Sequence, residues 1–210
     1  MGASGDALVR QREDREALGL LLASPVHLGH LDCIYRTGAD GLPLVSEEPD
    51  IFRADEAEDR ELVEAVSGDL HDLAAGVGAQ QLFLPLALGR HRDHVLVRQA
   101  GETASARLGG GVSLLYYEDA PYVLTEHGTL DNAVREMDAE LFSITSDELN
   151  MRLEAIGCYR SQQGILWHQE SGLASAIRDY ASMVGRGPPA ERYWRARAAR
   201  ANGRSRVALL

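Results

Sequence analysis

The sequence predicts an α/β fold in which two parallel strands bring polar side chains to one shared edge. Three observations carry this reading. The first is the stretch Gln81 to Gln99: an apolar run, Leu82 to Leu88, breaks at Gly89 and is followed at once by His91, Asp93 and His94. That is the profile of a buried strand whose carboxyl end feeds a crevice. The second is Val112 to Tyr117, apolar again and ending in Glu118 and Asp119 ahead of Pro121. The third lies between them, a helix over Val95 to Arg107 whose first turn holds Asp93 and His94, closed by Gly109-Gly110-Gly111. Strand, helix and strand in that order build a parallel pair.

The other elements follow in chain order. Met1 to Asp6 reads as a lead-in, and Arg10 to Leu22 as an amphipathic helix with Ala17, Leu18, Leu21 and Leu22 on one face, stopped by Pro25. Val26 to Tyr35 reads as a short strand entering a loop rich in Gly, Asp and Pro. His27, His30 and Cys33 invite a metal reading, but each sits beside Leu or Ile, and a spacing of three suits a helix face or turn. Asp55 to Leu73 is a surface helix, with Leu62, Val66, Leu70 and Leu73 inward and its carboxylates solvated. Gly76 and Gly78 end it.

Tyr122 to Ile144 shows no clear period and reads as loop with some helix. Thr145-Ser146-Asp147-Glu148 has capping-box spacing and opens a helix reaching Cys158. Gly172 to Val184 is a further amphipathic helix, broken by Gly187-Pro188-Pro189. Arg192 to Arg206 reads as a frayed helix passing into a disordered end. One domain over 1–190 with an Arg-rich tail over 191–210 is therefore expected.

Composition narrows the function classes. A formal net charge of -11 over 210 residues repels nucleic acid and anionic membranes, so neither is expected as a partner. The sequence contains no Lys, which excludes a Schiff-base lysine and a Walker-type phosphate lysine. Two cysteines without CxxC spacing argue for a reducing compartment. With no readable export signal or membrane-length apolar run, a cytoplasmic location is expected.

The central constellation is His91-x-Asp93-His94. At the start of a helix the two imidazoles lie on one face. One could bind a divalent metal while the other meets a developing negative charge, and Asp93 could orient either ring. The residues alone support a metal site or an acid/base site.

Three ordered motifs then point to a family. Leu84-Pro85-Leu86-x-x-Gly89-x-His91-x-Asp93-His94, Tyr116-Tyr117-Glu118-Asp119-x-Pro121-Tyr122 and Ala155-Ile156-x-Cys158-Tyr159-Arg160-Ser161-Gln162 together resemble the PIG-L family, the LmbE-like zinc-dependent N-acetylglucosaminyl deacetylases. Arg12-Glu13-Asp14-x-x-Ala17 and Ala190-Glu191-x-Tyr193-Trp194 resemble bacterial members. The resemblance implies a Rossmann-like three-layer fold with a mostly parallel sheet. It implies that His94 ligates zinc, that His91 acts as a cation on the oxyanion, and that Asp93 holds His91. Zinc would activate water and polarise the acetamide carbonyl of an N-acetylglucosamine-type conjugate. Taken as single residues, Glu118 and Asp119 could position a sugar hydroxyl or a histidine or serve as a helix or turn cap, and Arg160 and Gln162 could reach the site or tie down a loop. Tyr116, Tyr117, Tyr122 and Trp167 could stack on a sugar ring, or be core.

One departure stands out. The family opens with an A-H-P-D-D run supplying two zinc ligands and the general base, and no H-P-D-D occurs here; His71-Asp72, the nearest pair, falls within the helix reading. The opening βαβ unit is accordingly expected to be missing ahead of Arg10, leaving an unpaired sheet edge. Three accounts are open: an enzyme shortened at its start, a noncatalytic sugar-binding or interaction descendant, or recruitment of ligands such as His27, His30, Asp32 or Glu118. The first is the leading expectation.

Overall fold

The computed structural model describes residues 3–54, 59–125, 129–162 and 170–197; for 3–6 and 170–171 it describes the backbone alone. Strands β1 (Gln81–Pro85) and β2 (Ser113–Tyr117) pair in parallel, with Gln81 opposite Ser113 and Pro85 opposite Tyr117. Strand β4 (Ala190–Ala196) runs antiparallel to β2, and β3 (Met137–Ser143) antiparallel to β4, in the order β1-β2-β4-β3. Three of the four strands thus point one way and β4 alone is reversed.

Successive strand residues face opposite sides of a sheet, and both sides are covered. On one side Leu84 and Tyr116 meet helix α3 (Arg92–Arg107), reached from α1 (Ala3–Leu20) and α2 (Arg60–Val77). Arg98 lies 4.9 Å over the Tyr116 ring, and the Tyr116 hydroxyl donates to Glu102 at 2.9 Å. Helix α2 packs outside α3 through Val66, Leu96 and Ala100. On the other side Phe83, Tyr117 and Tyr193 border a cavity of about 280 Å³ whose lining includes Ile177, Tyr180 and Val184. Short helices α4 (Tyr122–Thr125) and α5 (Thr129–Ala133) precede β3, and α6 (Ser146–Gly157) follows it. Helix α7 (Glu170–Gly185), which carries that lining, packs on α6 through Leu149, Ile177 and Ala181. The three-layer α/β arrangement is therefore present.

Several segments differ from the sequence reading for identifiable reasons. Val26 to Tyr35 forms no strand; Gly29 at φ 81° and the Asp32 carboxylate accepting the Ile34 N–H at 3.3 Å turn it into a 3-10 helix at Cys33–Tyr35. Strand β3 escaped notice because its residues are mostly exposed and show no two-residue alternation. The Arg-rich segment set apart at 191 begins inside the sheet as β4, not as a frayed helix. Its arginines are paired: Arg192 with Glu118, Arg195 with Glu140, and Arg197, just beyond the strand, with Asp138. Residues 198–210, and Asp55 at the expected start of α2, lie outside the described residues. Gly76 falls within α2, and Gly78 at φ 64° ends it. The Thr145–Glu148 capping box is formed as read.

The Arg12–Ala17 and Cys158–Gln162 motifs meet as a clamp between α1 and the end of α6. Glu13 accepts the Ser161 N–H at 2.9 Å and hydroxyl at 2.7 Å, and Tyr159 donates to Asp14 at 2.7 Å. The Ser161 hydroxyl is the main influence holding the Glu13 carboxyl below its ordinary range.

Gly101 sets the α3–sheet distance: a Cβ there would lie 2.3 Å from Leu84 Cδ2. Gly101→Val should destabilise the chain by about 1–3 kcal/mol through overpacking. Gly68→Ala, in open space on α2, should stabilise it by about 0.5–1 kcal/mol. Urea midpoints of both variants against the parent chain check the pair.

Candidate active site

The site is assembled where β1 and β2 end. After Pro85 the chain turns sharply, with Ala87, Gly89 and Arg90 all at positive φ, between 56° and 71°. Gly89 is required twice over, by its φ of 71° and because a Cβ would lie 2.6 Å from the Tyr122 ring. The turn ends at His91, the N-cap of α3, whose Nδ1 accepts the Asp93 N–H at 3.2 Å. From the end of β2 comes Asp119, 1% exposed. Its Oδ1 bonds His94 Nδ1 at 2.7 Å and its Oδ2 accepts the Leu88 N–H at 3.1 Å. A neutral His94 donating through Nδ1 presents Nε2 as its remaining ligand atom, the arrangement of a carboxylate–histidine metal ligand.

His91 stands beside it. The two imidazole centroids are 4.9 Å apart, Phe52 meets His91 edge-on at 6.1 Å, and Tyr122 meets His94 at 5.8 Å. Burial, and then the neighbouring His94, push His91 below its ordinary value of 6.5. Both influences disfavour the cation that the resemblance implies. With Nδ1 accepting from Asp93, the neutral tautomer carries its proton on Nε2.

The Asp93 carboxylate does not touch His91; its backbone N–H does. Asp93 Oδ1 pairs with Arg36, and Oδ2 accepts the Cys33 N–H at 2.9 Å. Arg36 also donates to Asp59 at 3.1 Å, and Arg92 donates to the other Asp59 oxygen at 2.8 Å. Arg36, Asp59 and Arg92 are all buried, so two cations and two anions balance beneath the site.

Donor atoms of Cys33, His91 and Asp93 lie within 4.8 Å of one another. Each is engaged against a metal, however. Burial, Asp93 and Asp32 push the Cys33 thiol up to about 12, Arg36 occupies Asp93, and His91 Nδ1 is taken. His94 Nε2 is the donor that fits a zinc ion without rearrangement.

The remaining expected site residues lie elsewhere. Glu118 turns away from Asp119 and accepts from Tyr180 at 2.5 Å, Arg192 at 2.6 Å and Trp194 at 2.8 Å, on the wall of the 280 Å³ cavity. Arg160 pairs with Glu16 at 3.0 Å, and Gln162 donates to Ser161 at 3.1 Å, both at the α1 clamp. His27 bonds Asp14 at 2.8 Å, His30 bonds Asp69 at 2.7 Å, and His71 bonds Asp72 at 2.9 Å on α2. Tyr116 lies under α3 and Tyr122 beside His94, while Trp167 lies outside the described residues. Sequence reasoning missed Phe52, Arg36, Asp59 and Arg92. They converge from separate segments, and of the four only Arg92 lay inside a motif, as the unassigned position of His91-x-Asp93-His94.

No protein-family model matches the chain, and no curated protein matches it. Solved structures do share its fold. The zinc-inhibited form of teicoplanin deacetylase Orf2 is 24% identical with a TM-score of 0.79, over 92% of this chain and 75% of that one. A deacetylase–teicoplanin complex from the teicoplanin biosynthesis pathway is 23% identical with a TM-score of 0.75, over 91% and 74%. The A40926 pseudoaglycone deacetylase Dbv21 is 23% identical with a TM-score of 0.71, over 91% and 72%. No helix among the described residues is long and apolar enough to cross a membrane.

Asp59 is the shared anion of two buried arginines. Asp59→Ala should cost about 3–5 kcal/mol, since it removes the carboxylate that both buried arginines share and leaves Asp93 to balance them, and chemical denaturation of the variant measures the loss.

Proposed function

We propose that this chain carries the site of a zinc-dependent N-deacetylase, an amide hydrolase acting on an N-acetylglucosamine-type amino-sugar conjugate. The observation that supports it best is the His94–Asp119 pair, set at the carboxyl ends of two parallel strands in a fold shared with deacetylases. His94 would hold the metal through Nε2. When bound, zinc would lower the pKa of a water and polarise the amide carbonyl.

The chain's own residues do the rest of what can be assigned. Asp119 fixes the His94 ring and its tautomer, raising the basicity of Nε2. His91 presents Nε2–H to the crevice, where it donates to the acyl oxygen as negative charge develops there. Asp93 acts through its backbone N–H, which holds the His91 ring. Tyr122 and Phe52 close apolar walls around the two imidazoles and keep water from competing. The general base and the further ligands that the resemblance implies have no counterpart in the H-x-D-H region.

A second reading, glycoconjugate binding without hydrolysis, is favoured by the lack of an H-P-D-D run and by the engagement of Asp93 with Arg36. Protein zinc sites normally use three or four ligands, so His94 alone would hold the ion weakly.

Elemental analysis after zinc loading, with amine release from N-acetylglucosamine conjugates, separates the two readings. The deacetylase reading expects zinc uptake that is lost with activity in His94→Ala, and affinity lowered about 10- to 100-fold in Asp119→Asn. A chain that takes up no zinc and releases no amine overturns it. Glycoconjugate binding that persists in chelator would establish the second reading.

A further inference from the structure

Three buried charges beneath the site and the half-buried Asp93 form a closed circuit. Arg92 and Asp93 are neighbours in the first turn of α3; Arg92 donates to Asp59, Asp59 accepts from Arg36, and Arg36 returns to Asp93. None of these four groups is consumed by the chemistry proposed above. The circuit joins three separate segments, the 33–36 turn, the start of α2 and the start of α3, at one place. It also lies directly behind a turn whose Ala87 and Arg90 hold a left-handed backbone that L residues seldom adopt. That turn delivers His91.

The hydrogen bonds give the circuit a direction. Asp93 is held from both carboxylate oxygens, by Arg36 and by the Cys33 N–H. A residue fixed in this way has its backbone N–H fixed as well, and that N–H is the donor to His91 Nδ1. We infer that Arg36 is a positioning residue for His91: by clamping Asp93 against Asp59, it selects the His91 tautomer with the proton on Nε2 and aims that proton into the crevice beside His94.

The role belongs to a guanidinium. Nη1 and Nη2 reach two different carboxylates, a span that a planar fork makes and a single ammonium does not. The inference deepens the deacetylase reading and rests on it for the use of Nε2–H, but the tautomer can be read without any reaction.

The test is ¹⁵N imidazole NMR on the full chain, free of metal, at a pH where the rings are neutral, with amine release measured alongside. The parent chain should show His91 as the Nε2–H tautomer. Arg36→Lys should shift it toward a tautomer mixture, lower kcat about 10- to 100-fold with KM little changed, as for loss of an outer orienting group, and leave zinc uptake at the parental level. Asp59→Asn, which slackens Arg36 without removing it, should shift the tautomer in the same direction and provides a second route if Arg36→Lys folds poorly. An Nδ1–H tautomer in the parent chain overturns the inference without any variant. An unchanged tautomer in both folded variants overturns it equally. A shifted tautomer in a chain that never releases amine upholds the positioning role and sinks the deacetylase reading instead.

Discussion

Asp119 is a carboxylate taken almost wholly out of water, and burying an unpaired charge would cost several kcal/mol. It persists because both oxygens are used, one by the His94 ring and the other by the Leu88 N–H. Those two bonds tie the end of β2 to the turn after β1 and to the first turn of α3. Without them the two strand ends would be parallel neighbours carrying unrelated loops. The rest of the site depends on this tie, because His91, Asp93 and Tyr122 are placed by the segments that it joins.

Adjacent acids in the motif Tyr117-Glu118-Asp119 divide the labour between the two faces of the sheet. Asp119 serves His94, while Glu118 gathers Tyr180, Arg192 and Trp194 from α7 and β4. Arg192 and Trp194 are residues of a strand inserted against β2, so Glu118 fastens the reversed strand to the end of the parallel pair. An acidic pair at a strand end can therefore read as one site and serve two different faces of the sheet. The sequence alone offers no means of deciding which acid turns which way, since the chain leaves the regular strand pleat at Tyr117.

What was legible in the chain follows from the range of the interactions involved. The β1–α3–β2 unit, the capping box at Thr145 and the glycine end of α2 are local, and local patterns show in the sequence. Strand β4 was misread because its arginines resemble a solvated tail until Glu118, Glu140 and Asp138 are seen across from them. His91, Asp93 and His94 were legible as a group, but the partner of each ring was not. The expected bond from the Asp93 carboxylate to His91 is replaced by one from its backbone, because that carboxylate is claimed by Arg36 from a turn 57 residues away. Arg36 and Asp59 had no spacing signal at all, and Arg92 stood unassigned within the histidine motif, as their contacts exist only once three segments have folded together.

The absence of Lys gives these networks a common property. Every side-chain cation paired with a buried acid near the site is an arginine, and arginine does not lose its proton at any pH the fold survives. The charges on Arg36, Arg92 and Arg192 are thus fixed, and each can satisfy its acid through more than one N–H. A lysine in the same surroundings would be pushed by burial toward its neutral form, and the balance of charge beneath the histidines would vary with pH. Around His91, which burial holds below its ordinary value, the supporting charges are carried by arginines and form a frame that does not change with pH. A site built in this way is held in position by groups whose own charge does not vary.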